Sequence, residues 1–167
     1  PAANLLEGRN IVVLVDASAS MKSIDVTPTR IDSAKEEVKR LVRGLSGTDR
    51  MLVAQMDSAI TPLSTMTNEI PDLEAAVAAI HATDARVDLP KALRFAADTL
   101  QKLSSPEIIV VSDGALGTSL AESANVDLGK VRLSYLPIGT RSKNVAVTGF
   151  SVRRYPLDKA RYEVMLE

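Results

Sequence analysis

The run Ile11-Val12-Val13-Leu14-Val15, closed by Asp16, constrains this chain more than any other stretch. It is apolar at every position rather than every second one. Both faces of the strand it forms therefore need cover, as in the interior of a parallel sheet. Two later segments share that character: Met51-Leu52-Val53-Ala54-Gln55-Met56, and Ile108-Ile109-Val110-Val111, which leads into Ser112-Asp113-Gly114. Val131-Arg132-Leu133-Ser134-Tyr135-Leu136 alternates more and is expected nearer an edge. Ala59-Ile60-Thr61-Pro62-Leu63 predicts a short edge strand, where proline is tolerated.

Between these runs the apolar period lengthens. Ile31, Ala34, Val38, Leu41 and Leu45 recur at three- and four-residue steps, with lysines and arginines on the other face. Ile70, Leu73, Val77 and Ile80 repeat the pattern, with Asn68 as the expected N-cap, Pro71 in the first turn and His81 bordering the helix. Leu89, Leu93, Ala96, Leu100 and Leu103 do so again behind Asp88 as cap. A shorter helix is expected around residues 119–124. Strands alternating with amphipathic helices predict an α/β domain, a doubly wound, mostly parallel sheet flanked by helices.

The last 25 residues change character. Val145 and Val147, then Phe150 and Val152, form two alternating pairs whose phase slips at Thr148-Gly149, as at a β-bulge. Tyr162, Val164 and Leu166 alternate again after a turn-like stretch. Six bases face one acid between positions 141 and 161, which reads most simply as a solvated face. The expected division is an α/β domain over residues 1–142 and a β-hairpin extension over residues 143–167, the start of a following β-rich module. The opening at Pro1, without a methionine, suggests a piece of a longer protein.

Composition removes several chemistries. With no cysteine, disulfides, thiolate metal sites and cysteine nucleophiles are excluded. One histidine, His81, argues against a histidine zinc site or a Ser-His-Asp triad. A net charge of -1 and five aromatic residues argue against a nucleic-acid surface built on basic charge and stacking. No apolar run approaches the ~18 residues of a membrane span.

What remains is an oxygen-rich constellation. Asp16-Ala17-Ser18-Ala19-Ser20 sits at the end of the first central strand, where open parallel sheets bind ligands. Ser112-Asp113-Gly114 follows a second such strand, and Gly114 permits the sharp turn that aims Asp113 at the same crevice. Two hydroxyls and two carboxylates without nitrogen or sulfur suit a hard cation. Mg²⁺ fits best, with Mn²⁺ or Ca²⁺ as alternatives.

Asp16-x-Ser18-x-Ser20 after an apolar strand, with Ser112-Asp113-Gly114 after a later one, resembles the metal-ion-dependent adhesion site of von Willebrand factor type A domains. The resemblance spans roughly residues 9–140. It implies that Ser18 and Ser20 ligate the metal directly, that Asp16 and Asp113 hold it through waters, and that a partner protein's carboxylate completes the shell. The family's third loop supplies a threonine, but aligning on Ala92-Leu93 puts Val87 there. The replacement oxygen is expected from Asp88, or from Thr83 or Asp84. Asp88 as a direct ligand would lower the site's charge; Asp88 as a helix cap would leave the metal one ligand short.

The Thr83-Asp84-Ala85-Arg86-x-Asp88-Leu89 loop and the tail are similar to a bacterial subgroup. Its members join a Bat-type (aerotolerance-related) hydrophobic N-terminus, a von Willebrand A domain and a β-rich region. The expectation is a soluble domain of a membrane-anchored bacterial protein, on the periplasmic or extracellular side. The resemblance implies a non-enzymatic module that captures a protein partner through an acidic side chain, with Met21 and Arg86 on the contact rim. Neither nucleic acid nor a small-molecule substrate is expected. The alternatives are a scaffold with a degenerate, metal-free site and, further off, a Mg²⁺-dependent phosphohydrolase with Asp16 as nucleophile. The latter would need a second carboxylate two residues on, where Ser18 stands.

Overall fold

A computed structural model describes residues 8–26, 28–139, 150–154 and 162–166. The elements run β1 (Asn10–Asp16), a short 3₁₀ turn (Ala19–Lys22), α1 (Arg30–Arg43), β2 (Arg50–Met56), β3 (Ile60–Pro62), α2 (Ile70–Ala78) and α3 (Leu89–Leu100). They continue with β4 (Pro106–Ser112), α4 (Ser119–Ser123), β5 (Arg132–Pro137), β6 (Phe150–Arg154) and β7 (Tyr162–Leu166). Five strands form one sheet in the order β3-β2-β1-β4-β5, with β1 at its centre. β1 pairs in parallel with β2 and β4, and β4 with β5; only β3 runs antiparallel, against β2. The expected doubly wound sheet is the one observed.

The continuous apolar run of β1 is explained by its cover. Every residue of the strand is buried. Ile11, Val13 and Val15 pack with Ala34, Val38 and Val42 of α1 and with Leu73 and Val77 of α2. Val12 and Leu14 face the opposite layer, against Ala92, Leu93, Ala96 and Leu100 of α3. Each such Val or Leu contributes roughly 1.5–3 kcal/mol by leaving water, so the strand's position in the sheet is strongly set. β5 is the parallel edge, with Leu133 buried and Arg132 and Pro137 exposed.

Of the two helix caps expected from the sequence, one is observed and one is not. Thr29 caps α1 by accepting from Asp32 N, and Asp88 caps α3 by accepting from Lys91 N. The cap of α2 is Glu69, without a side-chain hydrogen bond. Asn68, the expected cap, instead donates to the Gly47 carbonyl. β6 and β7 pair antiparallel as a separate two-stranded sheet, Val152 opposite Val164. Val145, Val147, the 148–149 slip and the 142/143 division lie outside the described residues.

The amino ends of the central strands are tied by one buried acid. Asp49, just before β2, accepts from Arg9 N at 2.9 Å, Arg9 Nη2 at 3.0 Å and Ser46 N at 3.0 Å. Arg9, just before β1, also reaches Glu107 of β4 at 3.6 Å. Burial opposes the Asp49 charge, but the bonds from Arg9 and Ser46 outweigh it and hold the carboxyl at about 2. A carboxyl depressed on folding stabilises above its unfolded pKa of ~3.9, and that contribution is lost as pH falls toward 2. Asp49→Asn is therefore expected to lower stability by roughly 1–3 kcal/mol at pH 7. In urea titrations at pH 7, 4 and 2.5, its difference from wild type should shrink with falling pH; a constant difference would contradict the assignment.

Candidate metal and ligand site

The order β3-β2-β1-β4-β5 makes the chain leave β1 and β4 toward opposite sides. A crevice opens between their carboxyl ends, the usual ligand position of such sheets. Asp16 closes β1 there and is fully buried. Its Oδ1 accepts from Ser18 N at 2.8 Å and its Oδ2 from Ser112 Oγ at 2.6 Å. Burial pushes its pKa up, the bonds from Ser112 and Ser18 pull it down, and the charge of Asp113 pushes it up again. The net effect is upward, because burial outweighs the bonds from Ser112 and Ser18.

The tight turn after Asp16 brings Ser18 Oγ and Ser20 Oγ to 3.2 Å of each other. Adjacent ligands of an octahedral cation with bonds of ~2.1 Å stand about 3 Å apart, so the two hydroxyls form one ready edge of such a shell. Asp113 follows β4; its Oδ1 accepts from Ala115 N at 2.9 Å and its Oδ2 from Arg30 Nη1 at 2.7 Å. Gly114 takes φ +83°, the left-handed conformation the turn requires, and its N–H donates to Ser112 Oγ. Beneath it, Tyr135 donates to the Ser112 carbonyl, and burial pushes that phenol up to about 12. The structure thus brings Asp16, Ser18, Ser20 and Asp113 to the same end of two neighbouring strands.

The third loop is stitched to this turn by its backbone. Thr83 N donates to the Ala17 carbonyl at 2.7 Å and Ala19 N to the Ala85 carbonyl at 3.2 Å. Its side-chain oxygens have hydrogen-bond partners of their own, Asp84 Oδ1 accepting from Lys22 Nζ at 2.6 Å. Thr83 Oγ1 donates to Asp57 Oδ2 at 2.8 Å, with the Ala17 carbonyl a second acceptor at 3.2 Å. Asp88 Oδ1 caps α3. Val87 packs into the core beneath α3, and its carbonyl accepts from Ser119 Oγ at 2.7 Å. No three of His, Cys, Asp and Glu gather as a metal group among the described residues, so a cation here depends on the serines. The donor set of two hydroxyls and two carboxylates fits a hard cation.

A cleft of about 250 Å³ opens beside the serines, lined by Ser18, Ser20, Arg86, Leu116, Thr118 and Ser119 among others, and no carboxylate lines it. Arg86 stands exposed on its rim, where the sequence placed it. Met21 does not. The 3₁₀ turn rolls it inward and it is fully buried, packed with Val13, Val15 and Ala34. The apolar side chain that this loop does expose is Ile24, at 78%. Leu120, next to Ser119 of the cleft, is the other large exposed one among the described residues. Arg30 was also missed. A cation at the first position of a helix opposes the helix dipole, and that misplacement was the available signal.

A family model for the von Willebrand factor type A domain matches residues 11–115. No curated protein matches the chain in sequence. Among solved structures, an aerotolerance-related membrane protein from Bacteroides fragilis superposes with TM-score 0.68 at 16% identity, covering 95% of this chain and 82% of that one. The conserved hypothetical protein BatB from Bacteroides thetaiotaomicron gives 0.69 at 20% identity, with coverage of 96% and 82%. Manganese-loaded TRAP protein from Plasmodium vivax gives 0.66 at 18%, with coverage of 80% and 58%. At these identities the likeness is one of fold.

Ser112→Ala is expected to cost roughly 1–3 kcal/mol, because it removes a donor from a buried carboxylate and leaves that oxygen unsatisfied. Chemical unfolding measures it; a cost under ~0.5 kcal/mol would mean Asp16 is not held as described.

Proposed function

The chain belongs to the von Willebrand factor type A domain family, and on that premise we propose that it is a protein-binding module whose carboxyl-end face captures a partner through a divalent cation. The observation that carries this reading is the pairing of Ser18 and Ser20 hydroxyls 3.2 Å apart beside a buried carboxylate with no described cationic partner. Bound there, Mg²⁺ would supply an open coordination position for a carboxylate of the partner. The chain's own residues set up that position. Ser112 and Ser18 N hold Asp16 in one orientation, and Ala115 N and Arg30 hold Asp113. With neutral hydroxyls as its direct ligands, the cation would keep most of its charge for an anionic partner. Arg86 and the acid-free cleft favour the same sign of partner, and Ile24 and Leu120 are exposed apolar side chains.

The resemblance to Bat-type membrane proteins supports placing the domain in a membrane-anchored bacterial protein, facing the periplasm or the exterior. Among the described residues no helix is long and apolar enough to cross a membrane. Domains of this family are interaction modules rather than enzymes, and we read this one so. A second reading, a scaffold without metal, is favoured by one observation: Val87 is buried and both Thr83 and Asp88 are engaged elsewhere.

Calorimetry with Mg²⁺ and Mn²⁺ separates the two. Binding by wild type and a loss of at least roughly 100-fold in Ser18→Ala are expected; silence in wild type would favour the scaffold. Val87→Thr, nearly isosteric, should tighten Mn²⁺ binding by restoring a third-loop hydroxyl. Unchanged affinity would mean that this loop plays no part in holding the ion.

A further inference from the structure

Arg30 is poorly placed as a helix residue and very well placed as a counter-ion. It is the first residue of α1, where the aligned peptide dipoles repel a cation. Its side chain is three-quarters buried, and its guanidinium is divided between two carboxylates. Nε and Nη2 grip Asp25 at 2.7 and 2.9 Å, and Nη1 reaches Asp113 Oδ2 at 2.7 Å. The Asp113 side chain is only 1% exposed, so this pair is screened little by water. Behind the guanidinium lies Gly139, just past β5, with φ +109°. A Cβ there would stand in van der Waals contact with the pair, 3.4 Å from Arg30 Nε and 3.6 Å from Asp25 Oδ2. One side chain thereby joins the segments that follow β1 and β4, beside the one that follows β5, on the face where the site opens.

We propose that Arg30 is a built-in counter-cation of the site, a positioning residue that neutralises and orients Asp113 in the metal-free domain and competes with a divalent ion for it. The identity of the ion rests on the function proposed above; the clamp itself does not. Asp16 and Asp113 lie close enough for their charges to oppose each other. Arg30 is the described cation that pairs with either. Before any metal arrives it pairs with Asp113, and its positive charge weakens the site's hold on an ion. Take it away, and the metal-free site carries an uncompensated buried charge that a divalent ion would then relieve.

The test compares wild type with Arg30→Met, which keeps the apolar stem, and with Arg30→Lys and Asp25→Asn. Thermal unfolding is followed in chelator and in excess MnCl₂, and Mn²⁺ affinity is measured by calorimetry. Arg30→Met should melt well below wild type in chelator, recover most of the loss with Mn²⁺, and bind Mn²⁺ about tenfold more tightly. Arg30→Lys should fall between them. Asp25→Asn leaves Arg30 wholly to Asp113 and should weaken Mn²⁺ binding by about threefold; it serves as the readout if Arg30→Met does not fold. A merely structural arginine would give the same loss of melting temperature with and without Mn²⁺ and no gain in affinity, and that result overturns the proposal. If wild type binds Mn²⁺ and Arg30→Met binds it equally or less well, the clamp is wrong while the metal-bridged function stands. If Arg30→Met binds and wild type does not, the clamp is upheld and the metal bridge fails for the native chain. If no variant binds, both fall.

Discussion

A carboxylate buried at the head of the central strand is the constraint on which the rest of this molecule's binding face depends. Asp16 lies where the sheet is covered on both faces, and water cannot solvate it there. Leaving such a group unpaired costs several kcal/mol, so its surroundings must be built around it. Ser112, from the neighbouring parallel strand, donates to one of its oxygens, and the turn that presents Ser18 and Ser20 folds back on the other through Ser18 N. The third loop is in turn hydrogen-bonded to the backbone of that turn. The core supplies the rigidity and the carboxylate supplies the reason for each donor's position.

Charge at this face is handled in two ways. Asp113 is satisfied by a cation of the chain itself, through Arg30, whereas Asp16 has only neutral donors. The second condition leaves room for an external cation and the first limits how strongly one is drawn. The near-zero net charge of the whole chain conceals this local arrangement, since the acids that matter gather at strand ends while their counter-charges come from α1 or, in the reading proposed here, from solution.

Much of the fold was legible because it follows from short-range patterning. A short, β-branched run apolar at consecutive positions suits a doubly covered strand, and steps of three and four bury one helical face. The edge position of Ile60–Pro62, the cap at Asp88 and the positive φ at Gly114 were readable for the same reason. The cap of α2 was not: the helix starts behind Glu69, one residue later, and Asn68 donates its amide to the Gly47 carbonyl, 21 residues away in sequence. Met21 was misplaced because one turn of 3₁₀ helix decides whether a side chain beside the serines faces the partner or the core. A methionine in that loop carries no signal of which it does.

What the sequence by itself determined is the α/β class, the central place of β1 and the gathering of Asp16, Ser18, Ser20 and Asp113 at one end of the sheet. These depend on period and on position at strand ends, which are properties of neighbours along the chain. Only the tertiary structure decided which oxygens remain available there. Thr83 donates to Asp57, 26 residues away, and Asp113 is held by Arg30, 83 residues away. Hydrogen-bond partners at such separations are chosen by how the crossovers return to the sheet, and no local pattern encodes that choice.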